Sequence, residues 1–144
     1  MIEMTRRALM AGGATALATA LLRPRRAVAQ RTSAGPANPQ LIDDLVAANR
    51  ILVDQGVLDG YGHVSARHDR DPSHFMMSRS LAPELVTAAD IMEYDLDAEP
   101  VDPRGRSSYL ERFIHGEIYR ARPDVRAVVH DHSPSVIPFG VTGA

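Results

Sequence analysis

The stretch from residue 107 to residue 132 constrains the fold most, because helix, turn and strand signals follow one another there and end at two histidines. Pro123 stops the predicted helix, and residues 126–129 have the short, β-branched character of a buried strand. This strand delivers His130 and His132 at its C-terminal end. The apolar positions that recur at helical spacing, and that we expect to face the core, are Leu110, Phe113, Ile114 and Ile118.

The start of this helix carries a carboxylate that has two interpretations. Ser108 is the predicted N-cap, with Glu111 at the third helical position, which is the pattern of a capping box. Glu111 is therefore either a capping residue or a functional carboxylate.

His130 and His132 form a His-x-His pair. In an extended segment, residues i and i+2 point the same way and lie about 6.6 Å apart along the strand, so both imidazoles can converge on one ion. Neutral imidazole suits zinc and neighbouring divalent metals, and Glu111 can complete a three-ligand set that leaves one position open for substrate. His-x-His alone is a weak signal, and two histidines that bind no metal are the alternative.

The first 29 residues resemble a targeting segment rather than part of the fold. Arg6 and Arg7 form a twin-arginine pattern, the apolar run 11–22 follows, and residues 27–29 are an Ala-x-Ala cleavage site. We expect a Tat signal peptide over residues 1–29 and a periplasmic protein. An uncleaved anchor or a disordered tail is the alternative.

Composition limits the chemistry. The 144 residues contain no Cys and no Lys, so all 16 basic residues are Arg. This excludes disulfides, and it excludes a Schiff-base aldolase that uses a lysine of this chain. The net charge is −2, and removal of five Arg and one Glu with residues 1–29 would leave 11 Arg against 17 acidic residues. No basic cluster lies in the globular part, which gives nucleic-acid binding little support.

The remaining chain has room for one domain. Residues 30–38 are a predicted polar linker, and the domain spans residues 39–144. Asn38 is a plausible N-cap for a first helix with Pro39 at its first position, and Gly56 ends that helix.

Short strands follow the first helix. Residues 64–67 and 75–78 should pair as a hairpin around the polar turn 69–73, and residues 91–96 alternate as a third strand. Strands interleaved with helices predict an α/β (α+β) fold, with a central mixed or antiparallel sheet layered with helices.

Several polar side chains near these elements are candidate substrate contacts. His63 follows Gly62 in a loop that can approach a ligand, although a surface or capping histidine is as plausible. His115 lies one turn after Glu111, where it could orient the carboxylate or help to bind substrate; a structural histidine is the alternative. Ser78, Arg79 and Ser80 could hold an anionic group, or could form a solvated loop. His68 and His74 are expected to be exposed, with no assigned role.

Taken together, these motifs resemble the class II aldolase/adducin family. In that family a glutamate on a helix precedes a Val-Val-His-x-His strand by the interval seen here between Glu111 and His130. Residues 62–67, Gly-His-Val-Ser-Ala-Arg, resemble the family's Gly-Asn-Val-Ser-x-Arg segment, and residues 77–91 resemble its next strand, turn and helix start. The resemblance covers residues 40–144.

The resemblance implies a divalent-metal-dependent carbon–carbon lyase that stabilises an enolate during aldol cleavage or decarboxylation. Its ligands would be Glu111, His130 and His132, with Glu111 able to act also as base, and zinc is the first expectation, with manganese or another divalent ion possible. His63 stands where the family usually has a substrate-binding Asn. Tyr109 and Leu110 replace the small hydroxyl residues of sugar-phosphate aldolases, which favours a decarboxylase-like branch acting on a small carbonyl or carboxylate substrate.

Family members have roughly twice the mature length, and they assemble as homotetramers with sites at subunit interfaces. We therefore expect an oligomer, a C-terminally truncated domain, and low or no activity in this chain, because the family's third metal histidine and tyrosine proton donor would follow Ala144. An unpaired sheet edge and exposed apolar residues such as Val136, Ile137 and Phe139 should result. Two rivals are a cupin-like site, whose Glu follows its histidines, and a non-catalytic interaction module like the adducin head.

Overall fold

A four-stranded antiparallel sheet forms the centre of the molecule. The computed structural model describes residues 31–140 and 142; the predicted signal peptide, residues 1–29, lies outside this range. The strands are β1 (His63–Arg67), β2 (His74–Ser78), β3 (Ile91–Asp95) and β4 (Ala127–His130), in the spatial order β3-β2-β1-β4. This confirms the predicted hairpin, the third strand and the fold class.

The first helix, α1 (Pro39–Asp54), begins and ends where its cap signals predict. The Asn38 side chain accepts a hydrogen bond from the backbone N–H of Gln40, and Pro39 occupies the first turn. Gly56 follows the helix with a φ of +67°, a conformation that glycine adopts without strain. The helix covers one face of the sheet, where Leu45 packs in a buried cluster with Val64 and Met76.

The second helix, α2 (Arg112–Ala121), lies over the opposite face of the sheet, as its hydrogen bonds to β1 show. Side chains alternate along β1, so Val64 and Ala66 join the cluster under α1 while His63, Ser65 and Arg67 point toward α2. A second cluster, which contains the aromatic residues Phe75, Tyr94 and Tyr119, fills this side of the sheet. The sheet thus separates an aliphatic core from a mixed aromatic and polar one.

The predicted capping box at α2 is wrong. The helix begins at Arg112, so Glu111 occupies the N-cap position itself, and its side chain makes no capping hydrogen bond. The Ser108 hydroxyl instead accepts a hydrogen bond from the Tyr94 hydroxyl at 2.9 Å. Ser108 therefore does not cap the helix, and Glu111 has no capping role because its carboxylate accepts no hydrogen bond from the first turn.

The predicted core face of α2 is confirmed for Ile118, which packs against the aromatic cluster, and is wrong for the other three residues. The buried residues are His115, Gly116 and Tyr119, whereas Leu110 is 80% exposed and Phe113 is 47% exposed. A Cβ at position 116 would lie 2.9 Å from the carbonyl oxygen of Leu96, so the helix approaches the chain closely on its glycine face. Hydrophobic periodicity misses this face because two of its residues are polar and are stabilised by hydrogen bonds.

Strand β4 is an edge strand and only half buried, which corrects the prediction of a buried strand. Val128 points into the core, while Ala127 and Val129 on its other side are exposed. Among the described residues no strand pairs with the outer side of β4, and Val136, Ile137 and Phe139 are exposed, which confirms the expected unpaired edge and apolar surface.

The two histidines of the hairpin are not exposed, contrary to expectation. His68 is buried, with its Nε2 3.1 Å from the carbonyl oxygen of Gly35, and His74 lies 3.1 Å from that of Thr32. Residues 31–38, the described part of the predicted linker 30–38, form no helix or strand but pack across this end of the sheet, where the Ser33 hydroxyl donates a hydrogen bond to the Glu93 carboxylate. In the part of the chain described, no helix has the length and apolarity needed to span a bilayer.

Candidate metal centre

His130 and His132 converge as their spacing predicts. His130 ends β4, His132 lies just beyond it, and their Nε2 atoms are 3.2 Å apart with the two rings nearly perpendicular. Two imidazole nitrogens bound to one tetrahedral zinc at about 2.0–2.1 Å would be separated by about 3.3–3.4 Å. The observed separation therefore suits either an N–H···N hydrogen bond or two ligands of a single ion.

The carboxylate of Asp59 contacts the ring nitrogen of His132 that does not face His130. The His132 Nδ1 is 3.3 Å from both carboxylate oxygens of Asp59. The backbone N–H groups of Tyr61 and Gly62 donate to Asp59, and the pKa of Asp59 is lowered, mainly by the hydrogen bond from Tyr61. Such a histidine–carboxylate contact fixes the ring so that the other nitrogen can bind a metal.

Glu111 lies near these rings but does not complete a ligand set. Its Oε2 is 4.0 Å from the Nε2 of His63, which is too long for a hydrogen bond, and its side chain is 43% exposed. Within residues 31–140, no three His, Asp or Glu side chains are arranged around a common point as metal ligands. Two of the three predicted ligands therefore fit a metal, and the ligand role of Glu111 stays a prediction.

His63 is fully buried between aromatic rings. It stacks on His130 with ring centroids 4.9 Å apart and packs against Tyr109 at 4.2 Å. Burial, with the nearby His130 adding to it, lowers the pKa of His63 to about 4, so the ring is neutral at physiological pH. Its predicted contact with substrate stays a prediction. Because the ring is fully buried, this contact would require the residues around His63 to move.

His115 does not contact Glu111. Its Nδ1 lies 2.6 Å from the Ser65 hydroxyl, and its Nε2 lies 3.0 Å from the Nδ1 of His63. Burial lowers the pKa of His115 to about 3. The predicted influence of His115 on Glu111 can therefore act only through His63, and its contact with substrate is untested.

The predicted polar cluster 78–80 is divided by the fold. Ser78 is buried, and the Arg79 Nε donates to Asp90 at 2.6 Å, so this guanidinium is already paired. Only Ser80 reaches a cleft of about 380 Å³ that Glu111 also borders. The full lining of this cleft is Gly60, Tyr61, Ser80, Leu81, Ala82, Ser108, Tyr109, Leu110 and Glu111. The anion contacts proposed for Ser78 and Arg79 stay predictions, and the pairing with Asp90 weakens the case for Arg79.

Three residues of the site were missed from the sequence. Ser65 lies two residues after His63, so strand alternation could have placed both on one face. Tyr119 lies four residues after His115 on the helix, which also predicts a shared face. Asp59 begins the Asp-Gly-Tyr-Gly loop, and its turn-forming hydrogen bonds are a recognisable signal.

Comparison with known proteins identifies the family. The family model described as the class II aldolase and adducin N-terminal domain matches residues 43–143. The chain belongs to this family.

Class II aldolase/adducin relatives of this chain include enzymes that are named as decarboxylases. The decarboxylase tropJ of Talaromyces stipitatus is 45% identical over 100 residues, which cover 68% of this chain and 38% of tropJ. The 3,4-dihydroxyphthalate decarboxylase of Arthrobacter keyseri is 33% identical over 109 residues, covering 69% of this chain and 43% of that enzyme. The chain thus spans less than half the length of these curated relatives.

The same family accounts for the structural similarity. The L-fuculose 1-phosphate aldolase of Glaciozyma antarctica superposes with a TM-score of 0.64 at 30% identity, over 73% of this chain and 45% of that one. The sheet and helices described above are therefore the class II aldolase fold, of which this chain forms a part.

Proposed function

We propose that the chain carries the metal-binding part of a divalent-metal-dependent carbon–carbon lyase, and that the reaction is a decarboxylation. The convergence of the His130 and His132 Nε2 atoms at 3.2 Å, in a class II aldolase/adducin chain, carries this proposal. The names of two relatives favour decarboxylation over aldol cleavage of a sugar phosphate. Tyr109 and Leu110, where aldolases have small hydroxyl residues, point the same way.

The substrate class follows from the cleft and from one relative. Tyr61 and Tyr109 line the cleft beside Glu111, and aromatic rings suit a planar aromatic substrate. The relative named for 3,4-dihydroxyphthalate supplies a concrete candidate, a hydroxylated aromatic carboxylate. Aldol cleavage remains the second reaction that the same site could carry out.

Each residue of the site has a proposed part. His130 and His132 hold the ion, which we take to be zinc, with Glu111 as the third ligand, and Asp59 fixes the His132 ring. When bound, the ion supplies Lewis-acid stabilisation of the negative charge that develops on a substrate oxygen as the carbon–carbon bond breaks. Glu111 borders the cleft, so its carboxylate can accept or return a proton at the reacting carbon.

Assembly and location are further proposals by family resemblance. We propose a homo-oligomer, with a tetramer as the first expectation, acting on a small molecule and not on nucleic acid. The twin-arginine pattern at Arg6 and Arg7 supports export to the periplasm.

A non-catalytic interaction module like the adducin head is the second candidate. The lack of a three-ligand set within residues 31–140 favours it. The exposed apolar side chains of Leu110 and Phe113 would suit a protein contact. Metal binding separates the two candidates.

The test measures bound metal and carbon dioxide release together. The metal-free chain is titrated with zinc by calorimetry, and His130→Ala and His132→Ala should each weaken binding by about 10- to 100-fold or more. His74→Ala is the matched control, because His74 lies at the other end of the sheet. His68 is unsuitable as a control because it is buried.

Activity is then measured as carbon dioxide released from 3,4-dihydroxyphthalate with zinc present. Because the family's third histidine and tyrosine proton donor would follow Ala144, we expect only weak release, which His130→Ala abolishes and His74→Ala retains. Equal zinc affinity in the native chain and in all three variants would reject the site. Zinc binding without release would support the metal site and would count against turnover of this substrate by this chain.

A further inference from the structure

Four buried side chains form a continuous hydrogen-bonded chain from α2 to the candidate metal centre. The Tyr119 hydroxyl is 2.8 Å from the Ser65 hydroxyl, which is 2.6 Å from the His115 Nδ1. The His115 Nε2 is in turn 3.0 Å from the His63 Nδ1. All four residues are at most 1% exposed, so bulk water does not compete for these contacts.

The direction of the chain follows from counting donors and acceptors. A buried hydroxyl must donate its proton, and the Ser65 oxygen is the acceptor that the described residues offer to the Tyr119 hydroxyl. Tyr119 therefore donates to Ser65. Ser65 must then donate its own proton to the remaining partner, the Nδ1 of His115.

The two histidines continue the same direction. A histidine ring carries at least one proton on its two nitrogens, and a nitrogen that accepts a hydrogen bond carries none. Since the His115 Nδ1 accepts from Ser65, its proton is on Nε2, which donates to the Nδ1 of His63. The proton of His63 must then be on its own Nε2.

We infer that the Tyr119–Ser65–His115 chain locks His63 as the Nε2–H tautomer and makes it a hydrogen-bond donor to the Glu111 carboxylate, not a metal ligand. The His63 Nε2 is a buried polar atom with no hydrogen-bond partner in the described chain. Glu111 provides the carboxylate oxygen that faces it, at 4.0 Å. Because the Glu111 side chain is partly exposed, a small rotation can close this gap.

His63 is thereby a positioning residue, and the part given to Glu111 rests on the proposed function. A donor fixed behind the Glu111 carboxylate holds one oxygen and leaves the other free for the ion or the substrate. Without the lock, His63 could present a lone pair at Nε2 and compete with His130 and His132 for the metal. The tautomer of His63 thus decides which side chains are available as ligands.

The test reads the tautomer directly by NMR. The ¹⁵N-labelled native chain is measured near neutral pH by long-range ¹H–¹⁵N correlation of the histidine rings, with His63→Gln used to assign the His63 signals. We expect a protonated Nε2 and a bare Nδ1 for His63. Ser65→Ala removes the donor to His115 and should give a mixture of the two tautomers, whereas Tyr119→Phe keeps the Ser65 hydroxyl and should retain the Nε2–H form.

Zinc is then added to the same sample. The Nε2 signals of His130 and His132 should shift, while the His63 Nε2 keeps its proton. A His63 proton on Nδ1 in the native chain, or a zinc-induced loss of the Nε2 proton, would overturn the inference. If zinc leaves His130 and His132 unchanged while His63 is in the Nε2–H form, the proposed metal site fails and the tautomer lock stands. If Ser65→Ala does not fold, the native spectra alone decide.

Discussion

Arg67 joins the three elements that carry the site, and its replacement is the most informative test of the fold. Its guanidinium is buried, has no carboxylate partner within residues 31–140, and donates to four backbone carbonyl oxygens. Two of them, Tyr119 and Arg122, lie at the C-terminal end of α2, where a cation also complements the helix dipole. The others belong to Val125, before β4, and to Pro72 in the hairpin turn.

The expected loss can be worked out from these four contacts. Of the four hydrogen bonds, the one to the carbonyl of Tyr119 is fully buried. In Arg67→Met this carbonyl loses its donor, which lowers the free energy of unfolding by about 1–3 kcal/mol. The other three bonds are only partly buried, so water can replace them at about 0.5–1.5 kcal/mol each. Relief of the buried charge and retained aliphatic packing offset part of this sum, and we expect a net loss of roughly 3–5 kcal/mol.

Equilibrium unfolding in urea, followed by circular dichroism, measures the change. Arg67→Lys keeps the charge but cannot form the planar fork, so it should lose about half as much as Arg67→Met. Arg104→Met is the matched control, because Arg104 is exposed and its side chain pairs with the exposed Asp102 carboxylate, and it should leave the midpoint unchanged. A free energy of unfolding for Arg67→Met within about 1 kcal/mol of the native chain would refute the reasoning.

Two further predictions concern the face of α2 that contacts β1. Gly116→Ala places a Cβ 2.9 Å from the carbonyl oxygen of Leu96, and we expect the free energy of unfolding to fall by roughly 1–2 kcal/mol after the gain in helix propensity. Gly60→Ala, with open space around it, is the control. Equal unfolding midpoints for the two variants would contradict the close approach at Gly116. The second prediction concerns acid. The pKa of His115 falls from 6.5 to about 3 on folding, so the denatured chain takes up a proton first and stability is lost as pH falls from about 6.5 toward 3; His63, at about 4, acts in the same sense. His115→Gln should flatten this dependence between pH 6 and 4.5, and an unchanged slope in urea titrations would count against the buried, neutral assignment.

The sequence alone determined the parts of the fold that depend on local signals. Asn38, Pro39 and Gly56 set the ends of α1 because caps act over one turn of chain. Two short runs around the polar turn 69–73 located the hairpin strands, and alternation located β3. The His-x-His spacing predicted the convergence of His130 and His132, because residues two apart in an extended segment point the same way.

Only the tertiary structure decided which face of α2 is buried and what surrounds the site. Hydrophobic periodicity chose Phe113 and Ile114, but the buried side carries His115 and Tyr119, because these two find partners on β1 that are 50 or more residues away in the chain. A sequence pattern records side-chain polarity, whereas the free-energy cost of burying a polar group depends on whether a hydrogen-bond partner lies across the core. The tautomer of His63 depends on the same distant contacts, so no local signal could have revealed it.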